Sequence, residues 1–294
     1  MSRSWLLTLA LASVAGAVVA VPAPRQAQAA DEKDKKKTQK KEVEAAVEKG
    51  LEYLKKSQMQ DGHWEAQGGQ YPTTMTALAG MAFLMEGSTL KEGKYSDQVK
   101  KAVDWFLAPA RQQPNGMIGD ARNPTESTRY VYGQGFGTMF LASVYGEEED
   151  KEQREKLEKL LKKAVEFLCK AQTLKKHRKA EGKEVEIGGW GYVSAKDGNN
   201  FDEGSTTITQ VQGLRGCRNA GIPVTTEIIE KAKEYIYVCK NSDGGISYSS
   251  RNRGSSRPAI TAASLATLYN AGDYEGKHVP DMLKYCKQTL SNLN

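Results

Sequence analysis

Two kinds of helical segment alternate along this chain, one striped with charge and one apolar throughout. Residues 42–57 place Val43, Ala46, Leu51 and Leu54 at helical spacing with Lys and Glu between them. That spacing predicts an amphipathic helix with one buried face. Residues 74–85 follow without a single charge, and a helix apolar on nearly every side is buried on nearly every side. The contrast then recurs. Residues 96–107, 155–171 and 226–238 are amphipathic, charged or mixed, while 132–145, 208–220 and 258–271 carry few charges or none. The pattern predicts four outer–inner helix pairs, with 278–290 as a fifth outer helix. The inner segments are rich in small residues such as Gly133, Gly135, Gly137, Ala262 and Ala263, which lets them crowd toward a shared axis.

A glycine-bearing loop joins the two helices of each pair. Its first copy is Gln58-Met59-Gln60-Asp61-Gly62-His63-Trp64; the others centre on Gly116, Gly188 and Gly244, at steps of 54, 72 and 56 residues. The middle step is long because an insertion separates Gln172 from Gly188. Each copy closes on a glycine after the apolar run, at Gly87, Gly146, Gly221 and Gly272, where the left-handed conformation stops a helix. A period near 55 residues is one supersecondary unit copied, each unable to bury its apolar face alone. The fold class expected is therefore all-α. Its form would be an α/α toroid of four helical-hairpin repeats plus the fifth outer helix, over residues 42–294. The ring is expected to stay open, to continue in further sequence, or to be closed by a second chain.

The first 30 residues stand apart. Arg3 precedes an apolar run from Leu6 to Val21, and Ala27-Gln28-Ala29 is a small-x-small site, the pattern of a cleaved signal peptide. Export to the periplasm or outside the cell is expected, with no membrane anchor after cleavage. Residues 31–41 are charged and apolar-poor, which reads as a disordered linker. Lys and Arg number 42 against 36 Asp and Glu. That mild surplus, without a basic stripe interleaved with aromatics, argues against nucleic acid as a partner. Cys169, Cys239 and Cys286 hold equivalent repeat positions, roughly 8–10 Å apart on neighbouring helices and so beyond disulfide reach. Mostly buried free thiols are expected.

The loop motif Gln-x-x-Asp-Gly-x-Trp before an apolar inner helix resembles the prenyltransferase and squalene-oxidase repeat, over residues 42–290. That repeat is shared by terpenoid cyclases and protein prenyltransferase β subunits and occurs in many exported bacterial proteins. The resemblance implies an α/α toroid in which the motif Gln and Trp brace successive helices. It departs where chemistry would lie. No Asp-x-Asp-Asp or Asp-Asp-x-x-Asp occurs, and residues 257–261 hold neither the Asp nor the Cys of a zinc site. No metal or cofactor is expected, and turnover is left open. Arg251, Arg253 and Arg257 fall in the segment that carries diphosphate-binding cations in the prenyltransferases.

In such a toroid the loops gather at the N-termini of the inner helices, whose free N–H groups suit anions. The ligand-binding residues expected at that mouth are Tyr71, Thr74, Arg129, Tyr130, Tyr132, Tyr248, Arg251, Arg253 and Arg257. Asp202, Glu203 and Glu126 are the weak catalytic candidates. Asp202, or a neighbour in Glu203-Gly204-Ser205, caps an inner helix in one reading and is an acid facing the cavity in the other; capping is the expectation. The basic insertion at 175–179 reads as a mobile, solvated loop. The expected function is binding of an isoprenoid or lipid-like molecule in an apolar throat. The alternatives are a protein-binding scaffold, its centre plugged by Met75, Met81, Phe136 and Phe140, and a glycan-active barrel. The last would use Glu126, Asp202 and Glu203 with Tyr130 or Trp190 as a sugar platform.

Overall fold

The computed structural model describes residues 25–120, 122–147 and 150–291. Most of the expected leader lies outside them. The chain divides into two units, Met1–Gly50 and Leu51–Asn294. In the first, helix α1 (Arg25–Ser57) begins, and all residues from 37 to 50 are exposed. Residues 31–41 are thus helical, not a disordered linker. Lys, Glu, Gln and Ala are strong helix formers, and a Lys40–Glu44 pair at 3.8 Å adds i,i+4 support. The buried face expected at Val43 and Ala46 is likewise absent, with Val43 57% and Val47 54% exposed. Burial starts only at Leu51.

The second unit is all-α apart from one hairpin. Its inner helices are α2 (Pro72–Glu86), α4 (Pro124–Val144), α6 (Gly204–Asn219) and α8 (Pro258–Asn270). Its outer helices are α3 (Ser96–Leu107), α5 (Lys151–Ala171), α7 (Thr226–Val238) and α9 (Val279–Ser291). Inner helices pack in a row, α2 on α4, α4 on α6 and α6 on α8. Small residues set that spacing: a Cβ on Gly213 would lie 2.8 Å from the Gly135 carbonyl oxygen, and one on Gly80 2.5 Å from the Phe140 ring. The main core runs through Phe83, Phe106, Phe140, Leu161 and Trp190, all fully buried.

Four equivalent hydrogen bonds fix each loop to the inner helix behind it. The backbone N–H of Trp64 donates to Thr76 Oγ1 (3.0 Å), that of Ile118 to Gln134 Oε1 (2.7 Å), that of Trp190 to Thr207 Oγ1 (3.0 Å) and that of Ile246 to Thr261 Oγ1 (2.8 Å). These polar side chains inside apolar helices are therefore satisfied, as burial requires. Two of the motif glutamines reach forward instead, whereas Gln112 Nε2 donates back to Leu107 O at 2.7 Å. Gln58 Nε2 donates to the carbonyls of Gly62 and of Gln98 in α3, and Gln172 Nε2 to those of Gly188 and of Ile228 in α7. In the fourth copy Lys240 reaches Asp281 of α9 at 2.8 Å. The indole N–H of Trp64 donates to Leu54 O and that of Trp190 to Leu168 O, tying each loop back to the preceding outer helix.

The motif glycines press on backbone. Gly62, Gly116 and Gly244 have φ of 99°, 92° and 88°. A Cβ at these positions would lie 2.3–2.5 Å from a carbonyl oxygen of the next outer helix, that of Lys101, Lys163 or Asp281. Gly188 is the exception, without a positive φ, because the insertion re-routes the loop as a hairpin. That hairpin pairs β1 (Thr173–Arg178) antiparallel to β2 (Glu184–Gly189), with Thr173 opposite Gly189. The stretch expected to be a mobile loop is ordered because it alternates. Lys175, His177, Val185 and Ile187 are turned inward, while Lys176, Arg178, Glu184 and Glu186 are exposed, and β2 packs on α7.

All four cysteines are free, Cys217 and Cys239 buried and Cys169 and Cys286 half-buried. Burial pushes the Cys217 and Cys239 thiols up to about 12 from an ordinary 9.0. At pH 8 a disulfide reagent will therefore leave these two unlabelled in the native protein and label them on unfolding; rapid native labelling of either would contradict this burial. The folded state holds these protons more firmly, so the contribution is intact below pH 9 and is lost as pH rises toward 12.

Candidate functional site

The residues left open on the inner helices follow from the same register. Counting from Thr76, Gln134, Thr207 and Thr261, the positions two before and two, five and nine after form one stripe on each inner helix. In α2 these are Thr74, Leu78, Met81 and Met85; in α4, Tyr132, Phe136, Met139 and Ser143; in α6, Ser205, Thr209, Gln212 and Gly216; in α8, Ala259, Ala263, Ala266 and Asn270. All are exposed or half-buried except Thr209, although the helices carrying them are otherwise mostly buried. Between α4, α6 and α8 lies an open cavity of about 330 Å³, lined by Tyr132, Phe136, Ser205, Ile208, Thr209, Gln212, Ala259, Ile260 and Ala263. Phe136 forms its wall, whereas Phe140 is fully buried against Phe106.

The N-terminal ends of these helices carry an aromatic cluster. The hydroxyls of Tyr192 and Tyr248 bond to one another. The Arg129 guanidinium lies 5.0 Å from the Tyr192 ring and that of Arg257 4.8 Å from the Tyr248 ring, so a cation sits on each tyrosine face. Tyr132 and Phe201 flank Tyr192 at 6.0 and 5.5 Å. Arg129 owes its place to a break in α4, where its own φ and ψ are −146° and 37°. One turn is interrupted, and the Val131 N–H donates instead to Tyr192 O at 3.1 Å. Tyr192 and Phe201 were not singled out from sequence; the one signal was an aromatic residue two positions after Trp190.

The three expected arginines do not converge. Arg251 lines a separate pocket with Lys175, Lys176 and His177. Arg253 donates to Lys240 O at 2.6 Å, at the end of α7. Arg257 alone joins the aromatic cluster. Tyr71 holds a left-handed backbone (φ 51°) and donates its N–H to Thr125 Oγ1 at 2.9 Å, so it terminates the loop before α2. The Tyr130 hydroxyl donates to Asp197 Oδ2 and accepts from Ser194 N, both at 2.7 Å. Burial raises its pKa, while hydrogen bonds from Tyr130 and Ser194 lower that of Asp197.

The carboxylates serve the scaffold. Glu126 is buried and accepts from Thr73 N at 2.6 Å and Asp120 N at 2.7 Å, capping α2 from its neighbour. Glu203 caps its own helix, accepting from Ser205 N at 2.9 Å and Thr206 N at 3.0 Å. Asp202 accepts from the backbone and hydroxyl of Ser250 and pairs with Lys175, locking the hairpin to the fourth loop. The cap is thus Glu203 and not Asp202. Trp190 is fully buried and offers no sugar platform. Buried and bound, the three carboxylates form no open acidic pair of the glycosidase kind. Tyr132 donates to Glu203 Oε1 at 2.6 Å, and burial together with that carboxylate raises its pKa.

No protein-family model matches the chain. A stretch of 90 residues is 31% identical to human lanosterol synthase, a terpenoid cyclase; it covers 31% of this chain and 12% of that enzyme. Over that part, the chain is similar to a terpenoid cyclase. Its helical architecture agrees with the likeness.

Proposed function

We propose that this chain is an exported toroid-type repeat protein that binds an isoprenoid or other lipid-like ligand between α4, α6 and α8. The observation that carries the reading is the repeated stripe of half-buried residues around a cavity of about 330 Å³. An apolar hollow with a few convergent polar groups is the usual form of a small-molecule site. The row of inner helices, each packed on the next, supports the toroid, and the short likeness to lanosterol synthase supports the choice of ligand class. Binding is the claim, not turnover, since the buried carboxylates are engaged in capping and locking.

A charge in the wall tests it. Phe136→Asp will reduce uptake of a farnesyl lipid at least about tenfold, because an unpaired carboxylate is costly in an apolar site. Met85→Asp, on the same stripe of α2 but 84% exposed, will leave uptake nearly unchanged. Native mass spectrometry of protein purified with its lipids measures both. Equal uptake by the two variants, or none by the parent protein, would sink the reading.

A further inference from the structure

The polar end of the cavity has a hydrogen-bonding polarity fixed by its own atoms. Tyr132, Ser205 and Thr209 bring three hydroxyls to its wall, and a hydroxyl has one proton and two lone pairs. Each proton is already committed inside the protein. The Tyr132 hydroxyl donates to Glu203 Oε1 at 2.6 Å, Ser205 Oγ donates to the same oxygen, and Thr209 Oγ1 donates to Thr206 O at 2.8 Å. The Tyr132 and Ser205 oxygens are also 2.6 Å apart, so turning one hydroxyl toward the other still leaves no proton for the cavity. Glu203, fully buried, returns none as a carboxylate, because it only accepts and already holds Ser205 N and Thr206 N.

Thr209 Oγ1 also accepts from Gln210 Nε2 at 2.6 Å, so the wall presents chiefly the lone pairs of Tyr132 and Ser205, and of the polar lining side chains only the Gln212 amide offers N–H groups. Nor does a cation line the cavity. Arg129 and Arg257 lie on the rings of Tyr192 and Tyr248, outside its lining. A diphosphate or carboxylate head placed here would face those lone pairs, with the Gln212 amide as the one side-chain donor and no cation in the lining to offset its lost water. We propose that the cavity takes a lipid whose polar end donates a hydrogen bond, a neutral isoprenoid-type alcohol, and turns away anionic heads. This rests on the lipid-cavity reading and narrows it, away from the diphosphate head with which the resemblance associates Arg251, Arg253 and Arg257.

Four farnesyl compounds with the same tail separate the cases on the full chain: farnesol, its methyl ether, the diphosphate, and the hydrocarbon farnesene. Titration calorimetry will show farnesol binding roughly tenfold tighter than the ether, about one net hydrogen bond, with the diphosphate weakest of the oxygenated three. In the double variant Tyr132→Phe, Ser205→Ala the advantage of alcohol over ether will vanish. Equal affinity of alcohol and ether in the parent protein, or tightest binding of the diphosphate, overturns the proposal and leaves the lipid cavity standing. Failure of all four, farnesene included, removes the cavity reading and this proposal with it.

Discussion

Gly116→Ala will lower the stability of the folded unit by about 3–5 kcal/mol, far above the central tendency for a point substitution. Two causes add. The φ of 92° costs an L-residue roughly 1–2 kcal/mol. The new Cβ also lands 2.3 Å from the Lys163 carbonyl oxygen, which forces the loop off α5 or α5 off the core. The control is Gly221→Ala. Its φ is 83°, yet nothing lies within 4 Å of a Cβ there, so the loss will be only about 1–2 kcal/mol. Urea denaturation of both variants decides it: similar losses would mean that conformation, not the close approach to α5, is what matters.

Glu203→Ala comes next, at about 3 kcal/mol. The side chain accepts from two N–H groups of the first turn of α6 and from the hydroxyls of Tyr132 and Ser205. A buried donor left unmet costs roughly 1–3 kcal/mol; the two hydroxyls reach the cavity, where water can replace their partner, so the sum is less than four full penalties. Glu203→Gln keeps one acceptor oxygen for the cap and will lose about 1 kcal/mol. Thermal unfolding of the pair measures the difference. If alanine is no worse than glutamine, the carboxylate is not the organising group of this end of the cavity.

Much of the fold was legible because two signals agree at each repeat. Charge density separated outer from inner helices, and the closing glycines, with φ of 83–108°, stopped them where expected. Ser96–Leu107 and Thr226–Val238 have the very bounds that the pattern predicts. The start of α4 was missed by eight residues because its first turn, Pro124-Thr125-Glu126-Ser127, is polar. It is held by the Asn123 cap and by proline in the first turn, not by an apolar face. The α1 face failed for the opposite reason, since a helical stripe shows that a face exists and not that anything covers it.

The site was less legible. Sequence order brought Arg251, Arg253 and Arg257 together, but a loop sends neighbours to different surfaces, and only Arg257 found an aromatic ring. Trp190 looked like a platform because aromatic residues often bind sugars; its burial is set by Leu168 O and the Thr207 register, both distant in sequence. The aromatic cluster itself depends on Tyr192, which meets Arg129 at the break in α4.

The inserted hairpin has a consequence for how such repeats can grow. Gln172 meets the Gly188 carbonyl across 16 residues as Gln58 meets that of Gly62 across four, because antiparallel strands return the chain to its starting point. Length can therefore be added here in cross-strand pairs, one residue on each arm, without shifting the anchor or turning Ile187 away from the core. The tip at residues 179–183 is in effect a socket: a peptide or a small domain grafted there would ride on two paired strands while the helical row beneath keeps its register.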